Sequence, residues 1–132
     1  MTGASNRPVA VIGAGTMGHA LALVHALGGH PVRLYDNDPG ALARAPGLMQ
    51  AALATIREAG EAPPGWDEAR LAEMVAIAPD LEQAVTGAWL VVEAVAEDVE
   101  IKRQVFAALD RLAPEDAIFA SNTSMLDIFP LV

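Results

Sequence analysis

The segment 8–18, PVAVIGAGTMG, restricts the fold more than any other part of the chain. Pro8 to Gly13 is a short apolar run ending in glycine, the pattern of a buried parallel strand. Thr16 to Leu27 carries a helical pattern that stops at Gly28-Gly29. Gly13-x-Gly15-x-x-Gly18 therefore follows a strand and opens a helix, which is the context a dinucleotide fingerprint requires. Gly13 makes the tight turn, Gly15 lets the backbone approach a pyrophosphate, and Gly18 lets the helix pack close to the strand. The helix N-terminus would offer free N–H groups and a favourable dipole to the diphosphate.

A glycine fingerprint alone is weak evidence, and Asp36 strengthens it. A second strand, Pro31 to Tyr35, places Asp36 at its carboxyl end, about 20 residues after the fingerprint, where a carboxylate holds the ribose hydroxyls of a dinucleotide. The same carboxylate would repel a 2′-phosphate, and Arg33 precedes it in the strand, so NAD is expected over NADP. Flavin nucleotides share the fingerprint and stay as a minor alternative.

The rest of the chain alternates in the same way. A helix is expected from about Pro39 to Ala59, with an interruption at Pro46-Gly47, and the PPG at 63–65 closes it. Asp67 to Met74 reads as a short helix, Val75 to Ala78 as a brief strand and Leu81 to Val85 as a turn or two of helix. Trp89 to Val95 is the strongest strand signal of the second half. Asp98 to Leu112 is an amphipathic helix, Ala117 to Ala120 a fifth strand, and Ser121-Asn122-Thr123-Ser124 the loop beyond it. Strand–helix alternation predicts an α/β fold, a Rossmann-type doubly wound parallel sheet with helices on both faces.

Composition narrows the function classes. One domain fits 132 residues, and 53% apolar content supports a buried core rather than disorder. With 17 acidic and 8 basic side chains the net charge is −9, which argues against nucleic acid as a partner. The absence of cysteine excludes disulfides and thiolate chemistry. His19, His25 and His30 match no metal spacing, so no metal site is expected. The N-terminus is too short and polar for a signal sequence and no apolar stretch reaches spanning length, so a cytoplasmic protein without membrane contact is expected.

With Asp36, VVEAVAED at 91–98 and SNTS at 121–124 added to the fingerprint, residues 8–127 resemble the N-terminal domain of the L-3-hydroxyacyl-CoA dehydrogenase family. They are similar, too, to its L-gulonate dehydrogenase and lambda-crystallin relatives. The resemblance implies an NAD-dependent oxidoreductase of the kind used in fatty acid metabolism. Gly13, Gly15, Thr16, Met17 and Gly18 would line the pyrophosphate and Asp36 would bind the adenosine ribose. Glu97 and Lys102 would reach the nicotinamide side of the cofactor. Ser124 would lie near both nicotinamide and substrate hydroxyl, with Asn122 shaping the same loop. Met125 stands where the family often has a second serine. Plainer readings exist beside these: Lys102 as a solvated helix charge paired with Asp98, Glu97 as part of the helix start, Ser124 as a polar turn residue, and Glu93 as structural.

The family's chemistry needs a histidine, oriented by a glutamate, to take the hydroxyl proton as hydride leaves for NAD. In the family both come downstream of the SNTS loop, together with a helical substrate and dimerisation domain. The chain reaches Val132 without them, so on its own it is expected to bind cofactor and to show little dehydrogenase activity. A second copy or a partner subunit is expected over the exposed sheet edge. Few basic residues lie between Asp38 and Met74, namely Arg44, Arg57 and Arg70 with no lysine. That weakens the case for an acyl-CoA and keeps a small, gulonate-like hydroxy acid open as the substrate. A non-catalytic NAD-binding module is the third reading.

Overall fold

The computed structural model describes residues 7–95 and 98–121. Ten elements follow one another: β1 (Val9–Ile12), α1 (Thr16–Leu27), β2 (Val32–Tyr35), α2 (Pro39–Glu58), α3 (Glu68–Met74), β3 (Val75–Ile77), α4 (Leu81–Val85), β4 (Leu90–Glu93), α5 (Val99–Leu112) and β5 (Ile118–Ser121). The strands form one parallel sheet in the order β3-β2-β1-β4-β5. The chain steps outward from β1 to β2 and β3, then returns to the other side of β1 with β4. That reversal is the topological switch point, and a crevice opens there at the carboxyl ends of β1 and β4.

The two faces of the sheet are covered by different helices. Val9, Val11, Val32, Leu34 and Val92 pack against α1, α2 and α3 through Ala22, Leu23, Met49, Leu53 and Leu71. Ala10, Ile12 and Val91 face the other way, onto Ala84, Val85, Phe106 and Leu109 of α4 and α5. Alternate residues of one strand thus serve opposite cores, the consequence of a two-residue side-chain period. β1 is buried along its whole length, whereas β5 forms one border of the sheet, with Ile118 58% and Phe119 36% exposed.

Three expectations from the sequence need correction. α2 runs through Pro46 without a break. Proline removes one intrahelical hydrogen bond and crowds the preceding turn, a cost of about 3 kcal/mol. Burial of Ala41, Ala45, Met49 and Leu53 on both sides of it holds the axis. Ser121 ends β5 instead of starting the loop, and β4 stops at Glu93, short of Val95.

At the opposite end of the sheet, Arg7 fastens three segments. Its guanidinium takes both oxygens of Asp116 at 2.7 and 2.8 Å and donates to the carbonyls of Gly87 and Ala88. The pairing draws the Asp116 carboxyl below its usual range. On α1, burial and then the nearby His30 push the His25 imidazole below its ordinary 6.5. An unfolded chain therefore binds a proton there more readily than the folded one. The stabilisation is complete above about pH 6.5 and is lost as pH falls through that value toward the folded pKa. Melting temperature measured from pH 8 to 5 should drop on the acid side, and His25→Gln should flatten the drop.

Candidate functional site

Helix caps single out one end of one helix. α2, α3, α4 and α5 are capped by Asp38, Asp67, Asp80 and Asp98, whose carboxylates accept from backbone N–H groups at 2.8–3.0 Å. α1 begins at Gly15 with no side-chain cap and no acidic residue in its first turn. An uncapped helix start presents N–H donors and a positive dipole end. This one opens into the crevice at the switch point, so an anion is the natural cap.

The fingerprint glycines do different things. Gly13 has φ +115°, and a Cβ there would lie 2.4 Å from the Ala94 carbonyl oxygen. At Gly18 a Cβ would lie 1.7 Å from the Gly13 oxygen. Gly18 is buried behind the turn and is not part of the cleft wall, so its contribution is close packing of α1 on β1. A Cβ at Gly15, which borders the same cleft as Asp36, would meet no protein atom within 4 Å.

Asp36 is held before any ligand arrives. Its Oδ2 accepts from the Ala14 N–H at 2.9 Å and its Oδ1 from the Asp38 N–H at 2.8 Å. The carboxylate thereby ties the end of β2 to the turn after β1. It stands on the wall of a cleft of about 740 Å³ that also includes Gly13, Gly15, Thr16 and Met17. Sequence reasoning missed the rest of that wall. Asn37 contributes from the segment between β2 and α2, Arg44 from α2, and Ile101, Gln104, Val105 and Ala108 from α5. The available signal was on α5: Ile101 is apolar yet 42% exposed, because the helix turns one apolar face to the sheet and a second to the cleft. Flat apolar walls of this kind suit a base ring.

Lys102 is neither solvated nor on the cleft wall. Its side chain is 0% exposed, and Nζ donates to Glu93 Oε2 at 2.7 Å and to the Val95 carbonyl at 3.4 Å. Glu93 is equally buried and accepts in addition from the Val95 N–H at 2.7 Å and the Ser121 hydroxyl at 2.5 Å. Lys102 falls on the inward stripe of α5 with Phe106 and Leu109, which turns its ammonium under the sheet end. Lys102 therefore sits behind the Val95 part of the cleft wall, paired with Glu93. Glu97, Asn122 and Ser124 lie outside the described residues, as does Met125.

Residues 8–132 match the sequence model of the 3-hydroxyacyl-CoA dehydrogenase NAD-binding domain. The chain belongs to the 3-hydroxyacyl-CoA dehydrogenase family. As an NAD-binding domain of that family, it takes NAD as its cofactor. It is 38% identical over 125 residues to 5-formyl-3-hydroxy-2-methylpyridine 4-carboxylate 5-dehydrogenase of Mesorhizobium japonicum, covering 95% of this chain and 39% of that protein. It is 36% identical over 127 residues to mitochondrial hydroxyacyl-coenzyme A dehydrogenase of Sus scrofa, covering 93% of this chain and 40% of that protein. The crystal structure of 3-hydroxybutyryl-CoA dehydrogenase from Escherichia coli K12 superimposes with a TM-score of 0.83 at 35% identity, over 96% of this chain and 26% of that one. The chain thus spans about two fifths of the length of these curated relatives. Among the described residues no helix is long and apolar enough to cross a membrane.

Proposed function

We propose that the chain is the cofactor half of a dehydrogenase that moves hydride between NAD and the 3-hydroxyl of a 3-hydroxyacyl-CoA. The observation that carries this reading is the uncapped start of α1, facing a cleft whose other wall holds Asp36. The diphosphate would cap α1 through backbone N–H groups at Thr16 and Met17, and Asp36 would accept from the ribose hydroxyls of the adenosine half. The nicotinamide would then lie on the opposite side of β1, over β4 and β5. There the cofactor supplies a hydride acceptor when bound. Asn122 and Ser124 follow β5 in sequence and would meet the substrate hydroxyl and the nicotinamide; Glu97, between β4 and α5, would border the same end. The base that takes the hydroxyl proton would be supplied from outside residues 1–132, as the family resemblance implies.

Asp36 gives this reading a residue-level consequence. Charge-assisted hydrogen bonds are worth about 1.5–3 kcal/mol, so Asp36→Ala should weaken NADH binding by roughly 10–100-fold. Binding of NADPH should weaken far less, because removal of the carboxylate relieves its repulsion of the 2′-phosphate. Fluorescence titration with both nucleotides reads the difference.

A second reading, a small non-CoA hydroxy acid as substrate, is favoured by the lack of lysine from Asp38 to Met74. The first relative named above acts on a pyridine carboxylate by its name, which supports the same alternative. A fusion of residues 1–132 to the C-terminal half of the pig enzyme tests competence and preference together. NADH formation at 340 nm from 3-hydroxybutyryl-CoA is expected. A fusion that folds and binds NADH yet reduces no NAD would favour a non-catalytic module. The ratio of kcat/KM for the CoA ester to that for its N-acetylcysteamine ester measures what the CoA nucleotide contributes. A ratio near one points to the small-substrate reading.

A further inference from the structure

We infer that Glu93 is a positioning residue for the nicotinamide end of the cleft, acting through the Ala94–Val95 backbone. The inference rests on the reading of the cleft as the NAD site. Glu93 ends β4 with its carboxylate wholly buried, and its two oxygens join three parts of the chain. Oε1 accepts from Ser121 at the end of β5; Oε2 accepts from Lys102 of α5 and from the Val95 N–H.

The clamp explains why β4 stops where it does. A strand continuing through Val95 would direct that N–H to a neighbouring strand. Here the side chain of Glu93 takes it, and Lys102 lies within 3.4 Å of the Val95 carbonyl. Both polar groups of Val95 turn inward, and Ala94 and Val95 remain as cleft wall. The Ala94 N–H is fixed from the other side by the Ile12 carbonyl at 2.7 Å. Its own carbonyl sits so close to Gly13 that a Cβ there would approach to 2.4 Å. The Ala94–Val95 wall is thus set against the fingerprint turn on one side and against Glu93 on the other.

Position in the sheet assigns this wall to one half of the ligand. Asp36 at the end of β2 marks the adenosine side, and β4 lies across β1 from it. A dinucleotide spanning the switch point must place its second half over β4 and β5. A buried ion pair is weak evidence for stability, because desolvation offsets the attraction; fixing one conformation is its better-supported use. Glu93 makes β4, β5, α5 and the Val95 backbone meet in one geometry at the place where a nicotinamide has to lie.

The test compares two ligands that differ only in that half. ADP-ribose fills the adenosine and diphosphate sites, whereas NADH adds the nicotinamide riboside. Dissociation constants for both would be measured by calorimetry on the 132-residue chain carrying Glu93→Gln, and separately Ser121→Ala. For Glu93→Gln, NADH is expected to weaken by about tenfold with ADP-ribose within twofold. Ser121→Ala removes one hydrogen bond and leaves the ion pair intact, so it should fold even if Glu93→Gln does not. It is expected to weaken NADH about threefold and ADP-ribose not at all. Equal losses for both ligands, or none for either, would overturn the inference and leave Glu93 as a structural group. A folded wild-type chain that binds neither ligand would overturn the cofactor reading and the inference with it.

Discussion

Replacing Gly18 by alanine should lower the stability of the domain by about 3 kcal/mol and its melting temperature by roughly 10 °C. The new Cβ would sit 1.7 Å from the Gly13 carbonyl oxygen, deep inside van der Waals contact. Neither side can yield cheaply. Gly13 is pinned by its N–H to the Tyr35 carbonyl at 2.7 Å and by Ala94 behind it, while α1 is held on the sheet by Ala22, Leu23 and Ala26. α1 must therefore move outward, which would carry the N–H groups of Thr16 and Met17 away from the proposed diphosphate site. NADH affinity should fall by at least about tenfold even where the variant remains folded. Gly47 is the control, since it lies within α2 and a Cβ there meets nothing within 4 Å. Gly47→Ala should raise stability by about 0.5–1 kcal/mol. Thermal melts of the pair give opposite signs if packing at the fingerprint sets the requirement for glycine; similar shifts would point to chain entropy alone.

Lys102→Ala should be nearly as damaging, at about 4 kcal/mol, because it strips the ammonium from a carboxylate that is itself 0% exposed. Removing both charges in a Glu93→Gln, Lys102→Met double variant should restore most of that loss. Two shape-preserving neutral groups have no desolvation debt to settle, and the glutamine carbonyl still accepts from Val95. A solvated lysine on the surface of α5 would instead give less than about 0.5 kcal/mol on truncation. Denaturant titrations of the two variants separate these cases, provided m-values match that of the parent.

Much of the fold was legible because its signals are local. Strand and helix periods differ, and Gly28-Gly29, Asp67 and Asp98 mark element ends by turn and cap chemistry that depends on a few residues. The fingerprint with Asp36 was legible too, since glycine spacing and a carboxylate at a strand end carry their own geometry. The continuity of α2 through Pro46 was not, because tertiary burial outweighs a local penalty that sequence alone makes visible. The Glu93–Lys102 pair was hidden for a different reason. The two residues belong to a strand and a helix separated in sequence by residues 94–98, and a helical lysine is ordinarily read as outward. Its register with Phe106 and Leu109 on the buried stripe was the available signal. The α5 wall of the cleft was not legible because an amphipathic pattern marks apolar positions without saying whether each faces the sheet or a ligand.

A single calorimetric experiment bears most directly on the cofactor half: titration of the 132-residue chain with NADH and, separately, with NADPH. One site with a micromolar-order Kd for NADH, and NADPH at least about tenfold weaker, is the expected result. It follows from the proposed roles of the uncapped α1 start as the diphosphate site and of Asp36 as the group that would oppose a 2′-phosphate. A folded sample that binds NADPH as tightly as NADH, or neither nucleotide, would contradict it.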